Sequence, residues 1–448
     1  MPTQSVVFAA PTLLLALGGC VSSPTYELLM QDTLVEADYW QDEPAILAAG
    51  LGFTDVNGTP GLGIDPDNGE FYTFLVGGAW NTVDTDLPED EIPTRAYTSA
   101  TSLVGLWTGF GRIELFVDGL PIEFSHPVLA STVDVEDIAI TLNTGEVVVA
   151  ANVSVLPNQE LNEKSTIVLN GQFGNRQDPE TDDDAVYPVH FEVVGELSLV
   201  GPDGLIEAQG LTYGDGTTPL TGYGAPGSGP TLCAAKLTRA EAGLAGEGGI
   251  QAPGSDPDDP TYLFQGTSMP NDLRALYGSK AEYRLRVLTT GGFSPDGVRA
   301  MYPDEFSRYF RVAVLLDEDG AGGGEEGPDG GSYFLLEETG VKYRIPDLGG
   351  VEVVGLADLG IGRADGYDEA YEEDHDNQID IVLRGDEAVM RRIRYVHIPA
   401  GDGYSPFYNP GGPGNNPFPG VTYAASGPET WQPVTIAIDD PMQVSWPR

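Results

Sequence analysis

The chain has 448 residues, enough for two or three domains with buried cores. Hydrophobic residues make up 41 %, close to the ordinary globular value, which excludes global disorder. The formal net charge of −48 repels phosphate backbones, so the composition argues against a nucleic acid as a partner.

The first twenty residues combine an apolar segment with a cysteine. Residues 5–17 are apolar but too few to span a bilayer as a helix. They lead into Leu17-Gly18-Gly19-Cys20, an aliphatic residue and two small residues before a thiol. This sequence resembles the lipobox of bacterial lipoproteins, although the start MPTQ lacks the usual Lys or Arg. The resemblance implies a signal segment over 1–20 and lipidation of Cys20. The residue after it is Val21 and not aspartate, which implies the outer membrane or cell surface. The alternative is a buried N-terminal strand with a chance cysteine.

Residues 21–102 are expected to form a tether and an N-terminal region. The sequence after Cys20, VSSPTYE, indicates a short polar tether. Loosely periodic apolar residues make 25–52 the best helical candidate in this part. From Phe53 onward, turn-forming sequences rich in Gly, Pro, Asp and Asn separate short apolar runs.

Strand patterns dominate residues 103–213. Residues 112–117 alternate between polar and apolar, and residues 136–142 and 146–149 flank Asn143-Thr144-Gly145 as in a hairpin. More apolar runs follow at a spacing of roughly 8–12 residues, which is typical of antiparallel sandwiches and barrels. We therefore predict an all-β protein with mostly antiparallel β-sandwich-like domains, long Gly/Pro/Asp-rich loops and a few short helices.

Residues 214–278 interrupt the strand pattern with Gly, Pro and Asp. We predict a linker or long loop there, with a short Ala-rich helix over 237–244. A second β-rich domain is predicted over 279–448. It has an alternating run at 282–288, helix signals at 302–310, and an apolar run at 379–383.

The second domain contains an acidic loop, residues 365–380, with eight carboxylates and no Lys or Arg. Ca²⁺ takes about six to eight oxygen ligands, which such a loop supplies, although the spacing is not that of an EF-hand. Ile379 and Ile381 should face the core, so Asp380 should project from the opposite face. We predict a weak Ca²⁺ site with the ligands Asp365, Asp368, Asp374, Asp376 and Asp380. The alternative is a solvated loop paired with the arginines at 391, 392 and 394.

Signatures of catalysis are scarce. The four histidines form neither HExxH nor a zinc-type cluster, and no P-loop, dinucleotide fingerprint or G-x-S-x-G occurs. Cys233 has no histidine near it in sequence, which predicts a lone thiol in an apolar setting. The aromatic residues of 404–418 could bind a carbohydrate or a protein, or cover a sheet edge.

These features favour an exported, lipid-anchored protein of the cell envelope or surface with a binding or structural role, stabilised by calcium. The expected partners are the membrane, through the anchor, and a protein or carbohydrate that the sequence does not identify. The alternative is a secreted hydrolase that acts on a polymer with a carboxylate pair. That alternative predicts a deep cleft with two carboxyl groups about 5–9 Å apart.

Overall fold

The computed structural model describes residues 22–62, 66–76, 78, 80–84, 94–98, 100–156, 161–175, 177, 182–220, 232–240, 273–290, 303–320, 322–357, 377–399 and 429–447. Strands are far more numerous than helices in these residues and the helices are short, which confirms the predicted all-β class. In chain order the elements are α1 (Pro24–Leu29), β1 (Leu34–Asp38), β2 (Ile46–Ala49), β3 (Phe53–Thr59), α2 (Pro66–Leu75), β4 (Trp80–Asp84), β5 (Thr94–Thr98), β6 (Thr101–Ser102), α3 (Leu103–Phe110), β7 (Val117–Phe124), β8 (Ile138–Leu142), β9 (Val147–Val148), β10 (Asn152–Ser154), β11 (Thr166–Gly171), β12 (Pro188–Val193), β13 (Ser198–Gly201), β14 (Gly204–Glu207), β15 (Thr212–Tyr213), β16 (Leu232–Arg239), α4 (Leu273–Tyr277), β17 (Tyr283–Thr289), α5 (Phe306–Tyr309), β18 (Arg311–Asp317), β19 (Glu325–Glu326), β20 (Ser332–Leu336), β21 (Lys342–Ile345), β22 (Gly349–Ala357), β23 (Gln378–Gly385), α6 (Glu387–Met390), β24 (Ile393–Ile398), β25 (Thr430–Pro433), β26 (Thr435–Ile436) and β27 (Gln443–Trp446).

The first sandwich packs a six-stranded sheet on a four-stranded sheet. The larger sheet has the order β10-β11-β7-β3-β6, with β2 also paired to β7, and the smaller has the order β15-β12-β8-β9. Alternate residues of β7, β8, β11 and β12 point between the sheets, as the period of two requires. They form one buried apolar core that includes Leu120, Ile122, Phe124, Ile138, Ile140, Ile167, Leu169, Phe191 and Val193.

The second sandwich packs a sheet of order β21-β22-β23-β17-β16-β26 on a sheet of order β19-β20-β18-β24-β25. Its pairs are antiparallel except for β16 with β26. The core between the sheets includes Leu237, Leu285, Val287, Val312, Val314, Ile379, Ile381 and Val396. The larger sheet therefore turns its other face, with Lys236, Arg284, Arg286 and Asp380, away from this core.

The two sandwiches contact each other through that polar face. Asn377 at the start of β23 donates from Nδ2 to Glu123 Oε1 on β7, at 3.1 Å. Trp40, which follows β1, packs with Ala234 and Leu288 of the second sandwich. The first strand β1 pairs antiparallel with the last strand β27, so the two ends of the described chain form a ribbon.

Two parts of the sequence fold differently from the expectation. The helical candidate at 25–52 is a helix only over Pro24–Leu29, and β1 and β2 follow. The segment 214–278, predicted as a linker or loop with a helix at 237–244, contains β16. This strand is paired on both sides, with β17 and β26, because its alternate residues Ala235 and Leu237 fill the core.

Candidate functional site

Of the predicted metal ligands, the structure describes Asp380. Ile379 and Ile381 do face the core, and Asp380 projects from the opposite face of β23, as expected. Its carboxylate accepts two hydrogen bonds from Arg286, at 2.7 Å from Nε and 2.8 Å from Nη2. Asp365, Asp368, Asp374, Asp376 and the lipidation residue Cys20 lie outside the described residues. The calcium site and the lipidation stay predictions.

Asp38, the last residue of β1, is the acceptor at the centre of a buried ion cluster. It accepts from Lys236 Nζ at 2.7 Å, from Arg284 Nη2 at 3.1 Å and from Arg286 Nη1 at 3.3 Å. Gln443 on β27 donates a further bond at 3.1 Å. Burial alone raises the pKa of Asp38, but the three cations outweigh it and hold the pKa well below its usual range.

Lys236 lies in a cage of acceptors that the chain ends build around it. Besides Asp38, the backbone carbonyls of Tyr39, Pro441 and Met442 accept from its ammonium at 3.2, 2.9 and 2.8 Å. Burial lowers the pKa of Lys236 to about 8, with Asp38 opposing the shift. The side chain is therefore protonated at neutral pH, and it ties β16 to both β1 and the chain that leads into β27.

Arg286 extends the cluster toward the first sandwich. Its Nη1 lies 2.5 Å from Glu163 Oε1, a residue that precedes β11. Three cations thus face three anions, and every member is at most 1 % exposed: Lys236, Arg284, Arg286, Asp38, Glu163 and Asp380. A buried set of this kind costs desolvation energy that its mutual attraction offsets, so its clearest effect is to fix which surfaces meet.

Glu123 lies next to the cluster, but its pKa is shifted in the opposite direction from that of Asp38. Its side chain is fully buried on the outward face of β7, and Asn377 is the donor to its Oε1. Burial raises its pKa well above the ordinary value. Among the described residues, Oε2 has no hydrogen-bond partner. The interface therefore contains a carboxyl group whose burial favours the neutral, protonated form.

A groove of about 490 Å³ opens at the other end of the same sheet face. Its walls carry Glu282, Lys342, Glu352, Arg384 and Asp386. Arg384 donates to Glu352 Oε2 at 3.0 Å and 2.6 Å. The backbone N–H groups of Gly385 and Gly350 donate to Glu282 and Asp386 at 3.0 and 2.7 Å. Each carboxylate of the groove is thus hydrogen-bonded to a donor of the protein.

The nucleophile candidates that the structure describes are buried, in the case of Ser125 and His126, or partly buried, in the case of Cys233. Ser125 Oγ and His126 Nδ1 are 2.9 Å apart, but both side chains have no exposed surface and His126 stacks on Tyr39. Cys233 packs beside Trp40 and donates to the carbonyl of Leu288, and burial raises its pKa well above the usual value. The predicted lone thiol in an apolar setting is confirmed. Within the described ranges, no three His, Cys, Asp or Glu side chains are placed to hold a metal ion.

Sequence reasoning missed the ion cluster, although a signal was present. Arg284 and Arg286 alternate with apolar residues in EYRLRVL, and Asp380 does so in IDIVL. The period of two identified both strands but indicated no protein partner for their charged face. The residues that cover that face come from positions 38, 123 and 163, which no local pattern connects to it.

Comparison with known protein families, characterised proteins and solved structures gives no match to this chain. The helices that the structure describes are all too short or too polar to cross a bilayer.

Proposed function

We propose that this protein is a lipid-anchored component of the cell envelope or surface with a binding or structural role. The observation that carries the proposal is the short distance in sequence between Cys20, in its lipobox-like setting, and the folded body. Ser23 caps α1, accepting from Tyr26 N at 3.0 Å, and its hydroxyl donates to Thr108 O on α3 at 2.8 Å. Only Val21 and Ser22 separate the cysteine from this contact.

Such a link spans at most about 10 Å, because an extended residue covers about 3.5 Å. A lipid on Cys20 would therefore hold the first sandwich directly at the membrane surface. The predicted tether is correspondingly shorter than its sequence suggested, since Pro24–Leu29 is helical and packs on α3.

The groove favours a binding or structural role over the hydrolase alternative. Its three carboxylates are engaged by Arg384 or by backbone N–H groups, and the ion cluster beside it is sealed from solvent. A protein or carbohydrate partner and calcium binding by the acidic loop remain parts of the proposal.

Membrane anchoring is tested by the substitution Cys20→Ser in the full chain. We expect the native protein to fractionate with membranes and its mature N-terminus to carry a diacylglyceryl cysteine. The serine variant should lose both properties. Cys233→Ser is the matched control, and it should keep the lipid because that thiol is buried. An unmodified Cys20 in the mass spectrum of the native protein would refute the proposal.

A further inference from the structure

The helix α2 exposes the side chains that a surface helix normally buries. Phe71, Phe74 and Leu75 are spaced i, i+3, i+4, which places them on one face, and they are 59 %, 49 % and 55 % exposed. The opposite face buries Thr73, and Tyr72 lies 6.2 Å from the ring of Phe116. The helix therefore exposes apolar side chains and buries a polar one, which is the reverse of a helix on a solvated surface.

Two more exposed apolar side chains belong to the same region. Val104 on α3 is 50 % exposed, and Leu115 in the segment before β7 is 56 % exposed. Close contacts join the parts: a Cβ on Gly58 of β3 would meet both Leu106 of α3 and Glu114. We call Phe71, Phe74, Leu75, Val104 and Leu115 the apolar patch. It holds five of the nine large hydrophobic side chains that are exposed in the described structure, including both phenylalanines.

Most of the sequence around the patch is free of charge; the exceptions are Glu70 beside Phe71, and Arg112 and Glu114 near Leu115. Residues 71–83 and 96–111 contain no Asp, Glu, Lys or Arg, although the protein has 69 acidic residues in 448. A bilayer with anionic headgroups repels a body of net charge −48 over most of its surface. The surface around α2 and α3 can therefore approach a bilayer with less of that repulsion.

The patch adjoins the point where the chain arrives from Cys20. Ser23 bonds to Thr108 O, and Thr108 lies one helical turn after Val104 on α3. Four residues of helix rise about 6 Å. A lipid on Cys20 would therefore enter the membrane within roughly 25 Å of Val104, the sum of the link, the contact between Ser23 and Thr108, and this rise.

We propose that the apolar patch inserts into the lipid surface to which Cys20 is anchored and fixes the orientation of the body on the membrane. This inference rests on the lipidation proposed above. Large exposed apolar patches mark interaction sites, and apolar helix faces of this kind lie at the boundary between headgroups and acyl chains. The acyl chains hold the protein, and the patch sets which side faces the bilayer.

The test uses the lipidated full-length protein in phosphatidylcholine vesicles with acyl chains that carry bromine. A polarity-sensitive fluorophore is attached to the variant Phe74→Cys. Val147→Cys and Leu205→Cys are the matched controls, because these side chains are 60 % and 49 % exposed in the hairpins β8–β9 and β13–β14. We expect a blue shift and at least about twofold stronger quenching at position 74 than at the controls, since bromine quenches only probes at acyl-chain depth.

Each other outcome overturns the inference or separates it from the anchoring. Equal quenching at all three positions overturns it. A probe at 74 that is shielded without vesicles, and more so at higher protein concentration, also overturns it, because a second copy then covers the patch. If mass spectrometry shows no lipid on Cys20, the proposed anchoring fails. Adding the same vesicles to that unlipidated protein then tests whether the apolar patch inserts without the anchor. Absence of quenching at position 74 would refute the insertion.

Discussion

At the scale of single residues, Asp38 contacts three buried cations. Replacing it by asparagine removes the anion that faces the buried Lys236, and breaking a buried pair in this way costs about 3–5 kcal/mol. We expect Asp38→Asn to lower the free energy of unfolding by that amount, measured by urea denaturation.

The control is Asp439→Asn. Asp439 also accepts two bonds from an arginine, Arg391, at 2.6 and 2.8 Å, but 77 % of its side chain is exposed. Exposed pairs contribute about 0–1 kcal/mol. Equal losses in the two variants would show that burial of the cluster adds nothing.

Glu123 gives a prediction for the pH dependence of stability. Its pKa is raised in the folded state, so the native protein holds a proton that the unfolded chain releases above pH of about 4.5. The stability that protonation provides is complete at lower pH and is lost as the pH rises toward the folded pKa. Glutamine is neutral at every pH, so Glu123→Gln should gain stability relative to wild type above pH 5, by at most about 1.4 kcal/mol per pH unit.

The measurement is a series of urea unfolding curves between pH 4 and pH 9. Glu146→Gln, which removes an exposed carboxylate in the hairpin turn, is the control for a change in net charge. A difference between wild type and Glu123→Gln that stays constant across this range would contradict the buried neutral carboxyl.

At the scale of elements, the path of β3 depends on one glycine. Gly58 has φ +81°, and a Cβ there would lie 2.0 Å from the carbonyl oxygen of Glu114. Gly145 has φ +84° with open space around it. Alanine at either position strains the backbone by about 1–2 kcal/mol, and overpacking adds about 1–3 kcal/mol at Gly58 alone.

Thermal unfolding of Gly58→Ala and Gly145→Ala separates these two terms. We expect Gly58→Ala to be the less stable variant by the overpacking term. Similar melting temperatures for the two variants would mean that the segment before β7 moves away from the added Cβ without a cost in free energy.

The connection from β22 to β23 carries the calcium prediction. Millimolar Ca²⁺ should raise the melting temperature at constant high ionic strength, since binding to the native state stabilises it. Asp374→Ala with Asp376→Ala should abolish the rise. Asp380→Ala is unsuitable for this purpose, because it also removes the partner of Arg286. Identical melting curves with calcium and with a chelator, both in high salt, would refute the calcium site. The solvated loop would then be the remaining interpretation.

The strands with clear alternation were predictable, and those decided by distant partners were not. β17 and β23 follow the expected runs closely because their inward residues are all large and apolar, namely Tyr, Leu, Val or Ile. The sequence of β16, LCAAKLTR, predicts part of a linker and a helix, because it contains two alanines and follows a Gly/Pro-rich stretch. Whether a segment forms a strand depends on its neighbours in the sheet. The neighbours of β16 are β17 and β26, which lie about 50 and about 200 residues further along the chain. The candidate site was predictable only as far as the position of Asp380.

At the scale of the whole molecule, the chain ends hold the two sandwiches together. Deleting residues 441–448 removes β27, the amide of Gln443 and two of the carbonyls around Lys236. We expect a loss of at least about 3 kcal/mol in the free energy of unfolding, because β27 is lost and the buried ammonium keeps only two of its four acceptors.

Deletion of residues 447–448, which lie beyond β27, is the control and should leave the unfolding curve unchanged. The longer deletion would contradict the role of the ribbon if its curve matched the control.

The pairing of Leu34 with Trp446 also determines how late in the synthesis of the chain β1 can pair with β27. A ribosome adds about 5–20 residues per second, so β1 waits roughly 20–80 s for the strand that completes its ribbon. During that interval one edge of β1 stays open, and Asp38 lacks the hydrogen bond from Gln443. Nascent chains of this protein therefore cannot complete the ribbon until residues 443–446 have been synthesised. A premature stop anywhere before residue 443 yields a chain whose first strand has no partner.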